Sequence, residues 1–332
     1  MKDEKKKGGV GRTIARVFGA LLALLLLAAA FLTLVPLAQN GDRSPVEGSA
    51  DWMGRLDDSL TLDRITIPGS HDSATQYVQL AWFSKCQGMG VGEQLEAGCR
   101  YLDIRLAAEG DRLKLMHGFV SCRESAFGPT LYLDALLGEC YAFLDAHPTE
   151  TVLFAVKQEH GDESAAQFET LLDAYIQASP EHWLLASSIP ALGESRGRLV
   201  LLRRYEDEAG LGERAGIPLL WGKQNGYGDP SLNLSAADNG GYVLWAQDRY
   251  EYDAEEKWSA FTAGLAADGP AEGDVRLSFL STKGHATFGH PIAFARPLNA
   301  KLAALPAGEL DGWIVLDYFS AGLAAHVYES NF

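Results

Sequence analysis

The first 40 residues divide into a basic start and a long apolar run. Six lysines and arginines lie in residues 1–16, whereas residues 17–40 carry no charge and consist mainly of leucine and alanine. About 20 consecutive apolar residues are enough to cross a bilayer as a helix. Because basic residues precede the run and Asp42 and Glu47 follow it, the pattern predicts a span that starts in the cytoplasm and leaves the rest of the chain outside.

The span has two interpretations, a permanent anchor or a cleaved signal peptide. Its apolar run exceeds the roughly 7–15 residues of a signal-peptide core, and Pro36 weakens a small-residue cleavage site at Ala38. We therefore expect an anchor rather than cleavage. The expected division is a cytoplasmic basic segment at 1–16, a transmembrane signal anchor at 17–40, a linker at 41–50 and one folded domain at 51–332.

Beyond the linker, short apolar or β-branched runs alternate with amphipathic stretches rich in alanine and leucine, such as 131–146 and 165–176. This alternation predicts a parallel sheet, and eight such units favour a TIM-type (β/α)8 barrel. The connection at 106–112 is too short for a parallel crossover, so we expect a distorted, incomplete α/β barrel behind an N-terminal transmembrane helix. The eight runs are 65–67, 101–104, 113–116, 151–156, 199–202, 242–246, 277–280 and 313–316.

The charge of the chain excludes one class of partner. The 332 residues include 44 acidic and 28 basic side chains, and the first 43 residues hold three and seven of these, respectively. The remainder therefore has a net charge of −20. A domain with that charge repels nucleic acid, and the length suits a single domain with a large core. We expect a monomer.

Four cysteines follow the predicted span: Cys86, Cys99, Cys122 and Cys140. Outside the cytoplasm disulfides persist, so two bridges are expected, in any of three pairings. Four inert buried thiols are the alternative. No pair has the Cys-X-X-Cys spacing of a zinc site.

Side chains capable of chemistry recur just past the ends of the predicted strands. In a TIM-type barrel the C-terminal strand ends meet at one mouth, so residues far apart in the sequence are expected to share a pocket. The candidates are His71, Arg105, His117, Lys157, Glu159, Arg204, Asp248 and Asp317.

This set favours cleavage of a phosphodiester. Two histidines, His71 and His117, can serve as general base and general acid in one turnover near neutral pH. Asp317 and Asp72 can each orient one imidazole, and the planar guanidinium of Arg105 matches a phosphate. No serine or cysteine nucleophile is evident, which indicates attack by water or by a hydroxyl of the substrate.

A second group of side chains is suited to a polyhydroxylated ring. Such a ring requires several charged donors and acceptors around it. A sugar or cyclitol head group would be a ring of this kind. The residues of this group are Lys157, Glu159, Arg204, Asp248 and Tyr250.

From residue 51 onward the chain resembles the bacterial phosphatidylinositol-specific phospholipases C, motif by motif and in the same order. The resemblance implies a distorted barrel and an enzyme that acts on an inositol phospholipid at a membrane surface. The matching segments are residues 65–73 (ITIPGSHDS), 98–105 (GCRYLDIR), 116–118 (MHG), 150–159 (ETVLFAVKQE), 196–205 (RGRLVLLRRY), 247–250 (QDRY) and 312–318 (GWIVLDY).

The resemblance also implies a role for each candidate. His71, paired with Asp317, would deprotonate the inositol 2-hydroxyl, and His117, assisted by Asp72, would protonate the diacylglycerol oxygen. Arg105 would hold the phosphate in the position where eukaryotic relatives place calcium, so no metal or other cofactor is expected. The ring would be bound by Lys157, Glu159, Arg204, Asp248 and Tyr250, and the products would be inositol 1,2-cyclic phosphate and diacylglycerol.

Two alternatives to this lyase remain at the level of sequence. One is a calcium-dependent glycerophosphodiester phosphodiesterase, which shares the barrel and the histidine pair but requires a carboxylate cage for the metal. The other is a tethered module that binds inositol lipid without turnover.

The expected location is a bacterial cell membrane, with a single span and the catalytic domain outside the cytoplasm. The substrate can be free phosphatidylinositol or a glycosylated inositol lipid.

Overall fold

The computed structural model describes residues 4–224, 235–267, 270–285 and 289–332. Its N-terminal helix, α1 (Glu4–Leu37), includes an apolar portion, Gly11–Leu37, with a mean hydropathy of 2.7. By length and composition this portion can cross a membrane. The helix ends one residue after Pro36, which lacks the backbone donor for the helical bond to residue 32 and so weakens the last turn.

Twelve strands of the described residues form one sheet. Nine of them pair in parallel, which confirms the predicted barrel class. The strands are β1 (Ile67–Ser70), β2 (Tyr101–Glu109), β3 (Arg112–His117), β4 (Val120–Ser121), β5 (Val152–Gln158), β6 (Trp183–Leu184), β7 (Leu199–Arg203), β8 (Ile217–Pro218), β9 (Ser235–Asp238), β10 (Val243–Gln247), β11 (Val275–Phe279) and β12 (Trp313–Leu316).

The barrel is incomplete, as the sequence predicted. Its strand order is β6-β7-β5-β2-β1-β12-β11-β10-β9, and β8 pairs with the same edge of β7 as β6 does. In the described part of the chain no backbone ladder joins β8 to β9. The side chain of Asn239 bridges this gap, since it accepts a hydrogen bond from Leu220 N at 2.8 Å and donates to Leu220 O at 3.1 Å.

The prediction that residues 113–116 form a barrel strand is wrong. β3 returns antiparallel to β2, with Leu106 opposite Leu115. The turn at Gly110, where φ is +67°, is too short for a crossover. The hairpin therefore lies outside the parallel sheet and brings the end of β3 back toward the mouth of the barrel.

The first predicted strand, 65–67, is displaced and observed as β1 (Ile67–Ser70). Its sequence, IPGS, has one β-branched residue, Ile67, followed by a proline and a glycine, which are both rare in strands. A side chain on Gly69 would lie 2.8 Å from Cβ of Tyr101, so glycine permits the close contact between β1 and β2. Neighbour packing rather than intrinsic propensity places this strand.

Helices cover the outside of the sheet. Where the sequence pattern was regular, the helices end at the predicted residue or next to it. The predicted stretches 131–146 and 165–176 correspond to α4 and α5. Apart from α1, the helices of the described residues are α2 (Ala81–Ser84), α3 (Val91–Glu96), α4 (Leu133–Ala146), α5 (Ala165–Gln177), α6 (Leu192–Ser195), α7 (Ala254–Ala266), α8 (Pro291–Ala304) and α9 (Ala321–Tyr328).

The expected disulfides are absent, because Cys86, Cys99, Cys122 and Cys140 are all free and buried. The thiol of Cys99, for example, contacts Tyr101 O at 3.2 Å and Ser70 Oγ at 3.6 Å. The alternative of four inert thiols therefore holds. An oxidising compartment permits disulfides but does not place two sulfurs within bonding distance.

Candidate active site

A cavity of about 480 Å³ opens at the C-terminal ends of the barrel strands. Nine of the ten candidate residues line it: His71, Asp72, Arg105, His117, Lys157, Arg204, Asp248, Tyr250 and Asp317. The tenth, Glu159, lies behind this wall and contacts Lys157 and Arg105.

His71 follows directly after β1, and its backbone N donates to Leu316 O of the neighbouring strand β12. Its Nδ1 lies 2.8 Å from Asp317 Oδ1, and its Nε2 lies 2.9 Å from an Arg105 nitrogen. Arginine can only donate, so in the neutral ring Nε2 carries the lone pair and Nδ1 carries the proton. That tautomer leaves Nε2 able to accept a proton.

The charge of His71 is set by two opposing effects. Burial of the ring disfavours the imidazolium, but the carboxylates of Asp317 and Asp72 outweigh burial and raise the pKa of His71 above its ordinary value of 6.5. The Asp317 side chain is itself buried, and its backbone O accepts from Asn299.

Asp72 is a buried carboxylate between both histidines. Its Oδ2 lies 2.8 Å from His117 Nδ1 and 3.3 Å from His71 Nε2, and its Oδ1 lies 2.9 Å from Arg105 Nε. Burial alone would raise the pKa of Asp72, but Arg105 and the two histidines hold it well below its usual range. Neither oxygen is aligned as a hydrogen-bond acceptor for a described group, so Asp72 acts on these neighbours mainly through its charge.

His117 reaches the cavity by the β2–β3 hairpin. It is the last residue of β3 and precedes Gly118, which has a φ of +57°. Its Nδ1 is directed at Asp72, so Nε2 is the nitrogen left for a substrate. The side chain is 26% exposed, as expected of a group that meets a ligand from the solvent side.

Arg105 lies at the centre of the site, above the buried carboxylate of Asp103. Residues two apart on a strand face the same side, so both point inward from β2, and Arg105 donates to Asp103 at 3.0 Å. Burial would lower the pKa of Arg105, but Asp103, Asp72 and Glu159 raise it well above the usual value. The guanidinium is therefore a fixed positive charge beside His71 and Asp72.

The candidates for ring binding form a charged wall on the next strands. Lys157 Nζ donates to Glu159 Oε1 at 2.8 Å, and Arg204 donates to Asp103 Oδ1 at 2.5 Å. The Arg204 guanidinium also lies over the ring of Trp221, 4.2 Å from its centroid. This stack holds Arg204 flat against the cavity wall.

Asp248 and Tyr250 follow β10, and Trp221 connects Asp248 to the charged wall. Asp248 Oδ2 accepts from the Trp221 indole at 3.2 Å, and its backbone N donates to Gln224 Oε1 at 2.9 Å. Partial burial raises the pKa of Tyr250, so its phenol stays protonated. The cavity thus offers charged and neutral groups for hydrogen bonding.

Several contributors to the site were not identified from the sequence. Asp103 is not among the candidates, although it lies two residues before Arg105 on β2, a spacing that places both on the same face. Trp221 lies in a segment without a strand pattern, and Gln87, which donates to His71 O at 2.7 Å and Leu316 O at 2.9 Å, gave no signal at all. Cys86 also lines the cavity, with Sγ 4.0 Å from His117 Nδ1.

A resident metal does not fit the centre of this cavity. Among the described residues His71, Asp72 and Cys86 have ligand atoms close enough to share an ion. The Arg105 guanidinium, however, contacts both His71 and Asp72 at 2.9 Å. A cation placed there would meet a fixed positive charge, and a thiol is a poor ligand for calcium.

The sequence is similar to known proteins over most of its length. The model of the family "Phosphatidylinositol-specific phospholipase C, X domain" matches residues 60–205. A 1-phosphatidylinositol phosphodiesterase from Staphylococcus aureus (strain Newman) is 27% identical in an alignment 289 residues long, which covers 81% of this chain and 88% of that protein.

Solved structures of two bacterial enzymes share the fold. A phosphatidylinositol-specific phospholipase C from Staphylococcus aureus, in a structure concerned with modulation of its membrane binding, superposes with a TM-score of 0.69 at 24% identity and covers 86% of this chain and 98% of that chain. The Listeria monocytogenes phosphatidylinositol-specific phospholipase C superposes with a TM-score of 0.63 at 20% identity and covers 86% of this chain and 99% of that chain. The chain is therefore similar to the bacterial phosphatidylinositol-specific phospholipases C over most of its length, and its residues 60–205 match the X domain of these enzymes.

Proposed function

We propose that this protein is a phosphatidylinositol-specific phospholipase C, which cleaves the phosphodiester of an inositol phospholipid into inositol 1,2-cyclic phosphate and diacylglycerol. The observation that carries the proposal is that one cavity holds two histidine–carboxylate pairs, His71 with Asp317 and His117 with Asp72, together with the Arg105 guanidinium, which contacts His71 and Asp72. The family relationship supports the same reaction.

In the first half of the reaction, His71 acts as the general base. Its Nδ1–H is held by Asp317, so Nε2 accepts the proton of the inositol 2-hydroxyl while the hydroxyl oxygen attacks phosphorus. The phosphate competes for Arg105 and thereby releases Nε2 from its contact with the guanidinium. Because nucleophile and phosphorus belong to one molecule, the attack has a high effective molarity.

In the second half, His117 acts as the general acid. The bond between phosphorus and the diacylglycerol oxygen breaks, and the imidazolium of His117 gives that oxygen a proton from Nε2. Asp72 stabilises the cationic ring through Nδ1 at 2.8 Å. The proton taken by His71 balances the proton given by His117, so the reaction consumes no water.

Arg105 stabilises the charge that develops on the phosphate. The guanidinium contacts His71 and Asp72 and is 15% exposed, so it is a preorganised donor in a site largely shielded from water. A fixed guanidinium makes a calcium ion unnecessary, and we propose a metal-independent enzyme. This argument opposes the calcium-dependent phosphodiesterase considered at the level of sequence.

The substrate ring is proposed to lie between the charged wall and the ring of Tyr250. Lys157, Glu159, Arg204 and Asp248 would exchange hydrogen bonds with inositol hydroxyls, and Tyr250 would pack against the ring. The pairing of Lys157 with Glu159 and of Arg204 with Asp103 keeps these groups oriented before the lipid enters.

We propose that α1 anchors the enzyme in a bacterial membrane as a single span, with the catalytic domain outside the cytoplasm as a monomer. The apolar portion of α1 supports a membrane segment of either kind, signal or anchor. The basic residues before it and the acidic residues after it support the orientation.

The reaction is tested with the full chain in detergent micelles that contain phosphatidylinositol or phosphatidylcholine. The expected result is release of diacylglycerol from phosphatidylinositol alone, with a loss of at least about 1,000-fold in the His117→Ala protein. Equal cleavage of both lipids would contradict the proposed specificity. Binding of phosphatidylinositol without any release of diacylglycerol would identify a binding module instead.

A further inference from the structure

The end of α1 is built into the catalytic domain. Residues 11–34 of the helix are exposed along their whole length, whereas Val35 and Leu37 are partly covered and Pro36 is buried. The transition from exposed to covered takes place within a single turn. No free spacer therefore separates the apolar portion of the helix from the folded domain.

A buried lysine of the catalytic domain caps this helix end. Lys85, directly after α2, has no exposed surface, and its Nζ donates to Pro36 O at 2.9 Å and to Asn40 Oδ1 at 2.8 Å. The last carbonyls of a helix lack partners within the helix and carry partial negative charge, so an ammonium group is a suitable cap. Both hydrogen bonds recorded for this ammonium thus go to residues at the end of the span.

The chain after α1 stays in contact with the same face. Gly88 lies directly against the Asn40 backbone, where any side chain would collide with the Asn40 carbonyl. A Cβ on Gly41 would lie 3.7 Å from the side chain of Tyr318, the residue after Asp317, and Arg43 forms an ion pair with Glu93. The segment expected to be a loose linker is fitted to the domain.

An aromatic contact continues this face along the helix. The ring of Phe31 lies 5.1 Å from the ring of Trp82, which stacks on His290 at 4.0 Å. Phe31 precedes Leu37 by six residues, or about 9 Å of helix axis. Trp82 is therefore level with the apolar portion of α1, at the depth where interfacial aromatic residues lie.

The cavity opens beside this contact. Phe83 and Pro291, the neighbours of Trp82 and His290 in the chain, both line the cavity. Cys86, next to Lys85, lines it as well. The position from which α1 emerges thus also fixes the direction in which the mouth of the cavity opens.

We propose that residues 31–43, together with the face formed by Trp82, Lys85, Gly88, His290 and Tyr318, are a permanent anchor joint. The joint holds the mouth against the bilayer that contains α1, so the enzyme acts on the lipid of its own membrane and not on a facing one. The choice of lipid rests on the proposed function, whereas the joint itself does not.

Hydrogen exchange of the full chain in lipid nanodiscs tests the joint without any reference to activity. Within residues 38–43, the amides of Ala38 and Gln39 donate to Val35 O and Pro36 O, both at 3.1 Å. These amides are expected to be protected in the parent protein and to exchange at least about tenfold faster in Gly88→Ala, with the barrel unchanged. Gly138→Ala is the matched control, because Gly138 is exposed in α4 and has no neighbour near its Cα hydrogens. Asn40→Ala, which removes one acceptor of Lys85, provides a second variant if Gly88→Ala does not fold. Exchange at 38–43 that is as fast in the parent as in the variants would overturn the proposal.

Reconstituted vesicles test the consequence for activity. The full chain is placed in vesicles that contain one labelled phosphatidylinositol and mixed with acceptor vesicles that contain another. The parent is expected to cleave lipid of its own vesicle at least about ten times faster than acceptor lipid, and Gly88→Ala to lose about tenfold of the own-vesicle rate through lost orientation. Equal rates on the two vesicles, or an unchanged rate in Gly88→Ala, would overturn the proposal.

Dihexanoyl phosphatidylinositol, used as a dissolved monomer, separates the two proposals. Parent, Gly88→Ala and Gly138→Ala are expected to cleave it at equal rates, because a dissolved substrate needs no orientation by a membrane. If the parent cleaves neither the monomer nor vesicle lipid, the proposed function fails. The exchange of residues 38–43 then still decides whether the joint exists.

Discussion

At the scale of single residues, the two histidines of the site differ in the groups around them. His71 lies between Asp317 and Arg105, so its neutral tautomer is fixed with the lone pair on Nε2. His117 has Asp72 at Nδ1 and a larger exposed surface. These surroundings suit a base and an acid, respectively, and Asp72 couples the two rings through one carboxylate.

The pH dependence of the reaction tests the role of His71. The base must be neutral, and its pKa is raised in the folded protein by Asp317 and Asp72 against the effect of burial. The acid limb of the kcat/KM profile is therefore expected above the ordinary value of 6.5. In Asp317→Asn the main group that raises this pKa is removed, so the limb should move to lower pH while the rate falls by about 100-fold or more.

The control for this profile is Asp311→Asn, since Asp311 is 60% exposed and pairs with Arg276. Its profile should match that of the parent. A limb that stays in place or moves to higher pH in Asp317→Asn would show that Asp317 does not act on the base.

Residue types and strand ends were sufficient to predict most of the pocket, because the barrel brings strand ends together. Asp103 and Gln87 could not be assigned from the sequence. Asp103 acts on the site through Arg105 and Arg204, and Gln87 through backbone atoms of His71 and Leu316. Such contacts depend on three-dimensional packing that no local pattern records.

At the scale of elements, the departures from a regular barrel are the features that position the site. β3 runs antiparallel to β2 and returns His117 to the mouth. The short connection at 106–112 indicated that a parallel crossover could not form there. It did not reveal that a hairpin would take its place. β6 and β8 were not predicted, because strands of two residues are too short to show a period.

The base of the barrel depends on a buried ion pair between Arg100 and Glu150. Both side chains have no exposed surface, and Glu150 also accepts from the backbone N of Met53 and Gly54, which ties the segment before β1 to the sheet. Glu150→Ala leaves the arginine charge buried without its partner. The free energy of unfolding is expected to fall by about 3–5 kcal/mol, measured by urea denaturation in detergent.

Asp134→Ala is the matched control for this prediction. It breaks the exposed pair between Arg112 and Asp134, whose side chains are 46% and 57% exposed, and exposed pairs add little to stability. The midpoint of unfolding should barely change in this variant. A loss below about 1 kcal/mol in Glu150→Ala would contradict the structural role of the buried pair.

At the scale of the whole molecule, the apolar helix, the barrel and the cavity form one arrangement rather than a domain on a tether. Composition predicted the span and the acidic domain but not the fit between them, since Lys85 and Gly88 have no distinctive sequence signal. The cysteines show the same limit of sequence analysis. Their number indicated disulfides, although all four are free and buried.

The state of the cysteines is measured with a thiol reagent in the absence of reductant. Burial raises the pKa of every one of the four thiols, so little reactive thiolate is present. No thiol is expected to react in the folded protein, and all four should react after unfolding. If only two thiols, or none, react after unfolding, disulfides do form.

The most direct test of the proposed reaction is phosphorus NMR of the full chain with phosphatidylinositol in excess chelator, compared with His71→Ala. The parent is expected to give the signal of a five-membered cyclic phosphodiester as its first product, and His71→Ala should be slower by at least about 1,000-fold. A phosphomonoester as the first product, turnover only after calcium is restored, or an unchanged rate in His71→Ala would contradict metal-independent catalysis by the histidine pair.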